Sequence, residues 1–234
     1  MFKVNNYILT FAALIFSASG FGSVKENPPP NVIIILTDDQ GYGDLGITGN
    51  PHVKTPVLDN FARESIRFNQ FYVSPVCAPT RASLRTGRYS LRTGMHDTFK
   101  GGAIMATEEI TIAEMLKQAG YKTGIFGKWH LGDSYPFRPG DQGFDESLIH
   151  LAGGMSQPGD FTTFFEGDSS YFEPVLWYNG DPKAYKGYCS DIFADEAVAF
   201  IEKSQEKPFF CYLSFNAPHT PLQVPEKYYN MYKD

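Results

Sequence analysis

Cysteine is scarce in this chain: three residues in 234, Cys77, Cys189 and Cys211. An odd count excludes complete pairing within the chain and leaves at least one thiol for another use. Positive charge is also in deficit, 20 Lys and Arg against 26 Asp and Glu, a formal net charge of −6. That balance argues against nucleic acid as a partner. An anionic substrate must then be drawn in by a local cluster of cations, not by the overall field. No apolar run is long enough to span a bilayer, which excludes a membrane-spanning helix. There is no internal repeat and no low-complexity segment, so neither a repeat array nor a disordered tract is expected.

What is present points to a folded domain. Apolar residues make up 42% of the chain and aromatics 15%, enough to bury a substantial core. The N-terminus has the pattern of a secretory signal. Lys3 gives a positive start, Tyr7 to Phe16 a short apolar core, and Ala18 and Gly20 the small residues of a cleavage site. Residues 1–20 are therefore expected to be a signal peptide, and the protein to be exported, periplasmic or secreted. A buried N-terminal helix is the other reading of the same pattern. Residues 21–30 form a polar, proline-rich, extended lead-in.

From residue 31 onward, strand and helix signals alternate. Asn31 to Thr37 is a continuous β-branched run, the mark of a strand buried on both faces. Thr55 to Ser65 has helical spacing and opens Thr-Pro. Arg67 to Val73 alternates as a strand. Thr111 to Ala119 is a helix closed by Gly120, and Tyr121 to Phe126 a strand. Asp191 to Lys203 is a helix, and Pro208 to Phe215 a second buried strand. The alternation implies an α/β domain, a mostly parallel sheet with helices on both faces. Phe161 to Tyr188 holds nine aromatics with no clean period and reads as an elaborated loop region.

Ligands of open α/β sheets gather outside the carboxyl ends of strands, and the polar residues cluster there. Asp38 and Asp39 follow the first strand, Lys128 and His130 the strand ending at Phe126, and His219 the strand ending at Phe215. Adjacent carboxylates repel unless a cation bridges them, and hard oxygen donors favour calcium or magnesium over zinc. Alone, the same pair also suits a turn. A lone lysine or histidine at a strand end is as often a solvated charge or a structural ring. Cys77 opens the run Cys77-Ala78-Pro79-Thr80-Arg81-Ala82-Ser83-Leu84-Arg85-Thr86-Gly87-Arg88. Pro79 suits the first residue of a helix, which sets Cys77 just ahead of a helix N-terminus where an anion is favoured. Arg81 follows close enough to turn its charge back onto that spot. A buried structural thiol is the plainer reading of Cys77 taken alone. His96, Asp97, Lys100 and rings such as Trp177 either line a substrate pocket or fill the core.

The Cys77 run resembles the maturation signature of type I sulfatases, Cys-x-Pro-Ser/Thr/Ala-Arg with a Thr-Gly-Arg tail. Gly120-Tyr121-Lys122-Thr123-Gly124-Ile125-Phe126-Gly127-Lys128-Trp129-His130 resembles their second signature. Arg85 departs from the pattern, which usually has an apolar residue there, and is read as a surface substitution. The resemblance implies the alkaline-phosphatase-like α/β fold over residues 31–234, as the N-terminal part of a catalytic domain whose C-terminal part is absent. It implies oxidation of Cys77 to Cα-formylglycine by a formylglycine-generating enzyme. One hydroxyl of the hydrated aldehyde takes the sulfate and the other expels it. Arg81 would hold formylglycine, Lys128 grip sulfate oxygens, and His130 remove the hydroxyl proton. His219 would protonate the leaving oxygen. Asp38, Asp39 and residue 77 would bind Ca2+, with further ligands and a second lysine beyond this chain. The expected substrate is a sulfated carbohydrate or aryl sulfate. A phosphonate or phosphodiester hydrolase of the same superfamily is the alternative, or a non-catalytic sulfated-glycan binder if the chain is complete. With Cys77 consumed, Cys189 and Cys211 remain as a candidate pair.

Maturation is directly testable. Trypsin releases Phe68 to Arg81 with Cys77 inside. Protein made beside a formylglycine-generating enzyme is expected to yield that peptide as a hydrazide-reactive aldehyde by mass spectrometry. Active protein carrying only alkylatable thiol at Cys77 would remove it as nucleophile.

Overall fold

The β-branched and aromatic runs become strands of one sheet. The computed structural model describes residues 28–99, 102–155 and 171–233. Its strands are β1 (Val32–Leu36), β2 (Lys122–Lys128), β3 (Glu146–His150), β4 (Val175–Tyr178), β5 (Asp181–Ala184) and β6 (Phe209–Ser214). They lie in the order β1–β6–β2–β3–β4–β5. The first four in that order pair in parallel, and β4 and β5 return antiparallel at one edge. Asn179 and Gly180 turn between β4 and β5 with φ of 51° and 97°. Such a two-residue turn matches the twist of a hairpin. The aromatic-rich stretch read as loop therefore contains a hairpin. Its residues up to 170 lie outside the described residues, as do the expected signal segment and Lys100.

Helices cover both faces. The longer ones are α1 (Pro56–Arg63), α2 (Cys77–Thr86), α3 (Ile112–Gln118) and α4 (Cys189–Lys203), with a short α5 (Glu226–Tyr229). Side chains of β6 alternate between two cores. Phe210 and Tyr212 join Ala78 and Ala82 of α2 and Ala113 of α3 on one face. Phe209, Cys211 and Leu213 join Ile192, Phe193, Ala197 and Phe200 of α4 on the other. A strand buried on both faces needs this unbroken apolar run. The α3 start has Thr111 as cap, with the reciprocal Thr111–Glu114 hydrogen bonds. Gly120, at φ 89°, ends that helix as expected.

Four local expectations are corrected. Residues 67–73 form no strand. Alternation specifies a face but not a partner, and nothing among the described residues pairs with them, so Phe68, Phe71, Tyr72 and Val73 stand exposed. β1 is an edge strand buried on one face only: Ile33 and Ile35 are 51% and 63% exposed, while Val32, Ile34 and Leu36 pack on the α2 side. α2 begins at Cys77 itself, with Val76 as its cap, so Pro79 sits inside the first turn. The third residue of a helix has no intrahelical N–H bond to lose either. Finally, Arg85 is not on the surface. The buried face of α2 is Ala78, Arg81, Ala82 and Arg85, the i, i+3, i+4, i+7 stripe of a helix packed on a sheet.

No disulfide forms. Cys189 and Cys211 are both buried thiols on the α4 side. Burial pushes them up to about 11 and about 12, respectively.

β2 and β6 approach each other very closely at their carboxyl ends. Gly127 has φ 117°, and a Cβ there would lie 1.8 Å from the Ser214 carbonyl oxygen. That neighbour is backbone and cannot step aside. Gly127→Ala is expected to destabilise by about 3–5 kcal/mol, read as a lower urea midpoint. Gly120→Ala, also at positive φ but with open space around it, should lose only about 1–2 kcal/mol.

Candidate active site

The carboxyl ends of β1, β2 and β6 deliver their polar residues to one spot, and α2 points its first turn at it. The strand ends are tied together by backbone bonds. Phe215 N–H donates to Leu36 O at 2.8 Å, and Asp38 N–H to Ala217 O at 3.1 Å. At the centre is the Asp38 carboxylate, buried. Its Oδ1 accepts from Arg81 Nη2 at 3.0 Å and its Oδ2 from Lys128 Nζ at 2.5 Å. Arg81 also donates to Ser214 Oγ at 2.5 Å and Lys128 O at 3.0 Å. The guanidinium is thus turned onto Asp38, where the sequence placed its charge on residue 77.

The charges explain the titration of the cluster. Burial pushes the Asp38 carboxyl up, but the Arg81 and Lys128 cations outweigh it and hold the group below the ordinary carboxylate range. Burial and the neighbouring Arg81 draw Lys128 below its usual value, against the pull of Asp38 and Cys77. One carboxylate against two cations leaves a buried surplus of positive charge. In a low-dielectric setting such a surplus favours an anion held alongside.

Cys77 is half-buried, and its Sγ lies 3.3 Å from His130 Nδ1. His130 Nε2 is 2.9 Å from Thr98 O. A carbonyl only accepts, so Nε2 carries the proton and Nδ1 presents a lone pair to residue 77. Burial, then the Lys128 charge, lowers this imidazole to about 4. It is therefore neutral at pH 7, with the Nδ1 lone pair free to accept a hydrogen bond from the group at position 77. His219 stands at the rim. Its Nε2 is 3.7 Å from Asp39 Oδ2, and Tyr171 Oη donates to its carbonyl at 2.6 Å. Asp39, at φ 62°, has a carboxylate that is 61% exposed.

All of Asp38, Asp39, Cys77, Arg81, Lys128, His130 and His219 thus converge on the strand ends. Among the described residues the weaker candidates are seen in other contacts. His96 bonds its own loop at Gly94 O, and Asp97 accepts from Thr98 N–H at 2.7 Å. Trp177 packs at the edge of the α2-side core. Three residues of the site escaped sequence reasoning. Ser214 looked like one more core strand position. Thr98 acts through its carbonyl, which no side-chain pattern can flag. His150 is fully buried on β3, directly across from Lys128 in the register. Among the described residues neither of its ring nitrogens has a hydrogen-bond partner. Burial first, and then Lys128, Arg81, His130 and His219, lower its pKa well below the usual value.

Two carboxylates on successive residues suit a hard cation by donor chemistry, and both Asp38 oxygens already attract positive charge. They do not fill a shell: the described residues contain no group of three or more His, Cys, Asp or Glu that could hold a metal ion. Among the described residues no helix is long and apolar enough to cross a membrane.

A family model described as Sulfatase matches residues 30–234. The N-acetylgalactosamine-6-sulfatase of Canis lupus familiaris is 35% identical over 231 residues, covering 89% of this chain and 43% of that protein. An arylsulfatase of Klebsiella aerogenes is 32% identical over 234 residues, covering 95% and 50%. Among solved structures, BT4656 in complex with its substrate D-glucosamine-2-N,6-O-disulfate superposes with a TM-score of 0.70 at 32% identity. That match covers 86% of this chain and 37% of the other. The chain spans about half the length of the curated relatives it matches.

His150 gives a pH test. Its folded-state pKa is depressed, so the unfolded chain takes up a proton below pH 6.5 that the folded chain refuses. The resulting stability is complete above that pH and is lost as pH falls. His150→Leu is expected to keep or raise the urea midpoint at pH 7, because it removes two unpaired buried nitrogens. Below pH 6.5 it should flatten the acid loss by one proton, about 1.4 kcal/mol per pH unit. An unchanged slope would mean that His150 is protonated in the fold.

Proposed function

The chain belongs to the sulfatase family and carries its alkaline-phosphatase-like fold, and from that premise we propose that it contributes the nucleophile-bearing part of a sulfate-ester hydrolase acting on sulfated carbohydrates. The observation that carries this is the convergence of Cys77, His130 and a buried surplus of positive charge, Lys128 and Arg81 against Asp38, at three strand ends. Relatives named for N-acetylgalactosamine-6-sulfatase activity, and a structure bound to a disulfated glucosamine, support a sugar sulfate as the substrate class.

Each residue has a derivable task. Lys128 presents an ammonium beside residue 77, where a sulfate oxygen gains charge as its ester bond breaks. Arg81 holds Asp38 and fixes the depth of the cationic patch. His130 Nδ1, the free acceptor, takes a proton from the group at position 77 while Thr98 O keeps the ring from turning. His219, less buried and at the rim, reaches the leaving-group side and donates a proton there. Formylglycine made from Cys77 would supply a hydrated aldehyde, one hydroxyl to attack sulfur and one to drive release. Calcium held by Asp38, Asp39 and the oxygen at position 77 would stabilise charge on sulfate oxygens. Export, and maturation by a formylglycine-generating enzyme, belong to the same proposal.

The role of His219 separates by leaving group. An aryl oxide departs unprotonated, whereas a sugar alkoxide does not. In the full-length natural protein, His219→Ala is expected to cut kcat/KM on a sugar sulfate by about 10²–10⁴-fold and on nitrophenyl sulfate far less. Lys128→Ala should harm both alike. Equal losses in His219→Ala would leave that histidine as a sulfate-binding residue. Faster turnover of an aryl phosphodiester than of an aryl sulfate by the wild type would move the protein to another branch of the superfamily.

A further inference from the structure

Arg85 lies one turn beyond Arg81 on α2 and is 1% exposed. Among the described residues its Nε, Nη1 and Nη2 meet no acceptor in good hydrogen-bond geometry, and the nearby Tyr212 side chain offsets only part of the cost of burying it. The guanidinium instead lies over the Trp129 ring at 4.1 Å and the Tyr212 ring at 4.6 Å. As packing, this is a poor choice. Leucine would fill the same region without stripping a charge of its water, and burial draws this guanidinium down to about 10. What the cation adds is direction. A planar cation held over ring faces in a dry setting is attracted far more strongly than an alkyl group, and only at a fixed height and tilt.

The ring so held stands between Lys128 and His130. Trp129 is fixed at its other end as well, Nε1 donating to Gly132 O at 2.7 Å and Phe137 O at 3.0 Å. Beside it the backbone is strained, because His130 sits at φ 58°. A non-glycine residue stays in that region only where its surroundings over-determine it. The surroundings are Leu151 O, which accepts the His130 N–H at 3.0 Å, Thr98 O on the ring, and the anchored Trp129. Arg85 touches this turn from α2, the helix that carries residue 77, and braces it against Tyr212 of β6.

We propose that Arg85 is a positioning residue, whose stack on Trp129 and Tyr212 clamps the strained Lys128–His130 turn so that His130 Nδ1 stays aimed at residue 77. This rests on the proposed role of His130. The test uses the full-length natural protein. In Arg85→Leu, kcat for nitrophenyl sulfate is expected to fall about tenfold with KM within about twofold, while the urea midpoint holds or rises because the cost of burying a charge is gone. Nitrogen NMR of labelled His130 should show a single Nε2–H tautomer in wild type and a mixture in Arg85→Leu. Unchanged kcat together with an unchanged tautomer would overturn the clamp. If Arg85→Leu fails to accumulate, Arg85→Lys keeps the cation but not its plane, and is read in the same two ways. A wild type that hydrolyses no sulfate ester would sink the reading of the site, while the His130 tautomer would still decide the clamp.

Discussion

One buried carboxylate organises this molecule. Asp38 sits at the end of β1 and accepts from a cation on α2 and a cation at the end of β2. Removing water from three charges is unfavourable, and the cluster persists because each Asp38 oxygen is bonded and Arg81 is further bonded to Ser214 and Lys128 O. The same bonds pin three elements at one place. Without Asp38, two cations would face each other in a dry core. Without Arg81, α2 would lose its charged tie to the sheet.

The frame around that cluster is stiff for reasons of backbone as much as charge. Gly127 lets β2 close onto Ser214, and no other residue has the space to do so. Just beyond it the chain turns through His130 at positive φ. A close approach followed by a strained turn fixes where Lys128 and His130 can point. The electrostatics then follow from placement. Burial first, and then the surplus of positive charge, keep His130 and His150 neutral near pH 7, so the site holds cations for an anion and an uncharged imidazole beside residue 77.

Much of this was legible in the sequence. Lys128 and His130, the Asp38-Asp39 pair and His219 each lie just past an apolar run, and strand ends are where an α/β sheet gathers its ligands, while the Cys77 block opens a helix. The core strands β2 and β6 and the helices α1, α3 and α4 followed from periodicity, caps and glycines. Misreadings came where local pattern met a tertiary fact. The alternating run at 67–73 had a face but no partner strand. Arg85 was judged by its charge, although it stands four residues after Arg81, on the same helical face. Thr98 contributes a carbonyl, and a carbonyl belongs to every residue.

By itself the sequence determined which groups are available and in what local setting: a cysteine at a helix start, carboxylates and imidazoles after strands, glycines where the backbone must bend left. Only the tertiary structure decided who meets whom. Asp38 reaches Arg81 across 43 residues, and Arg81 reaches Ser214 across 133. Such pairings depend on strand order and register, which no local period encodes. They are chosen because a buried charge must find its partner wherever the folded sheet puts one.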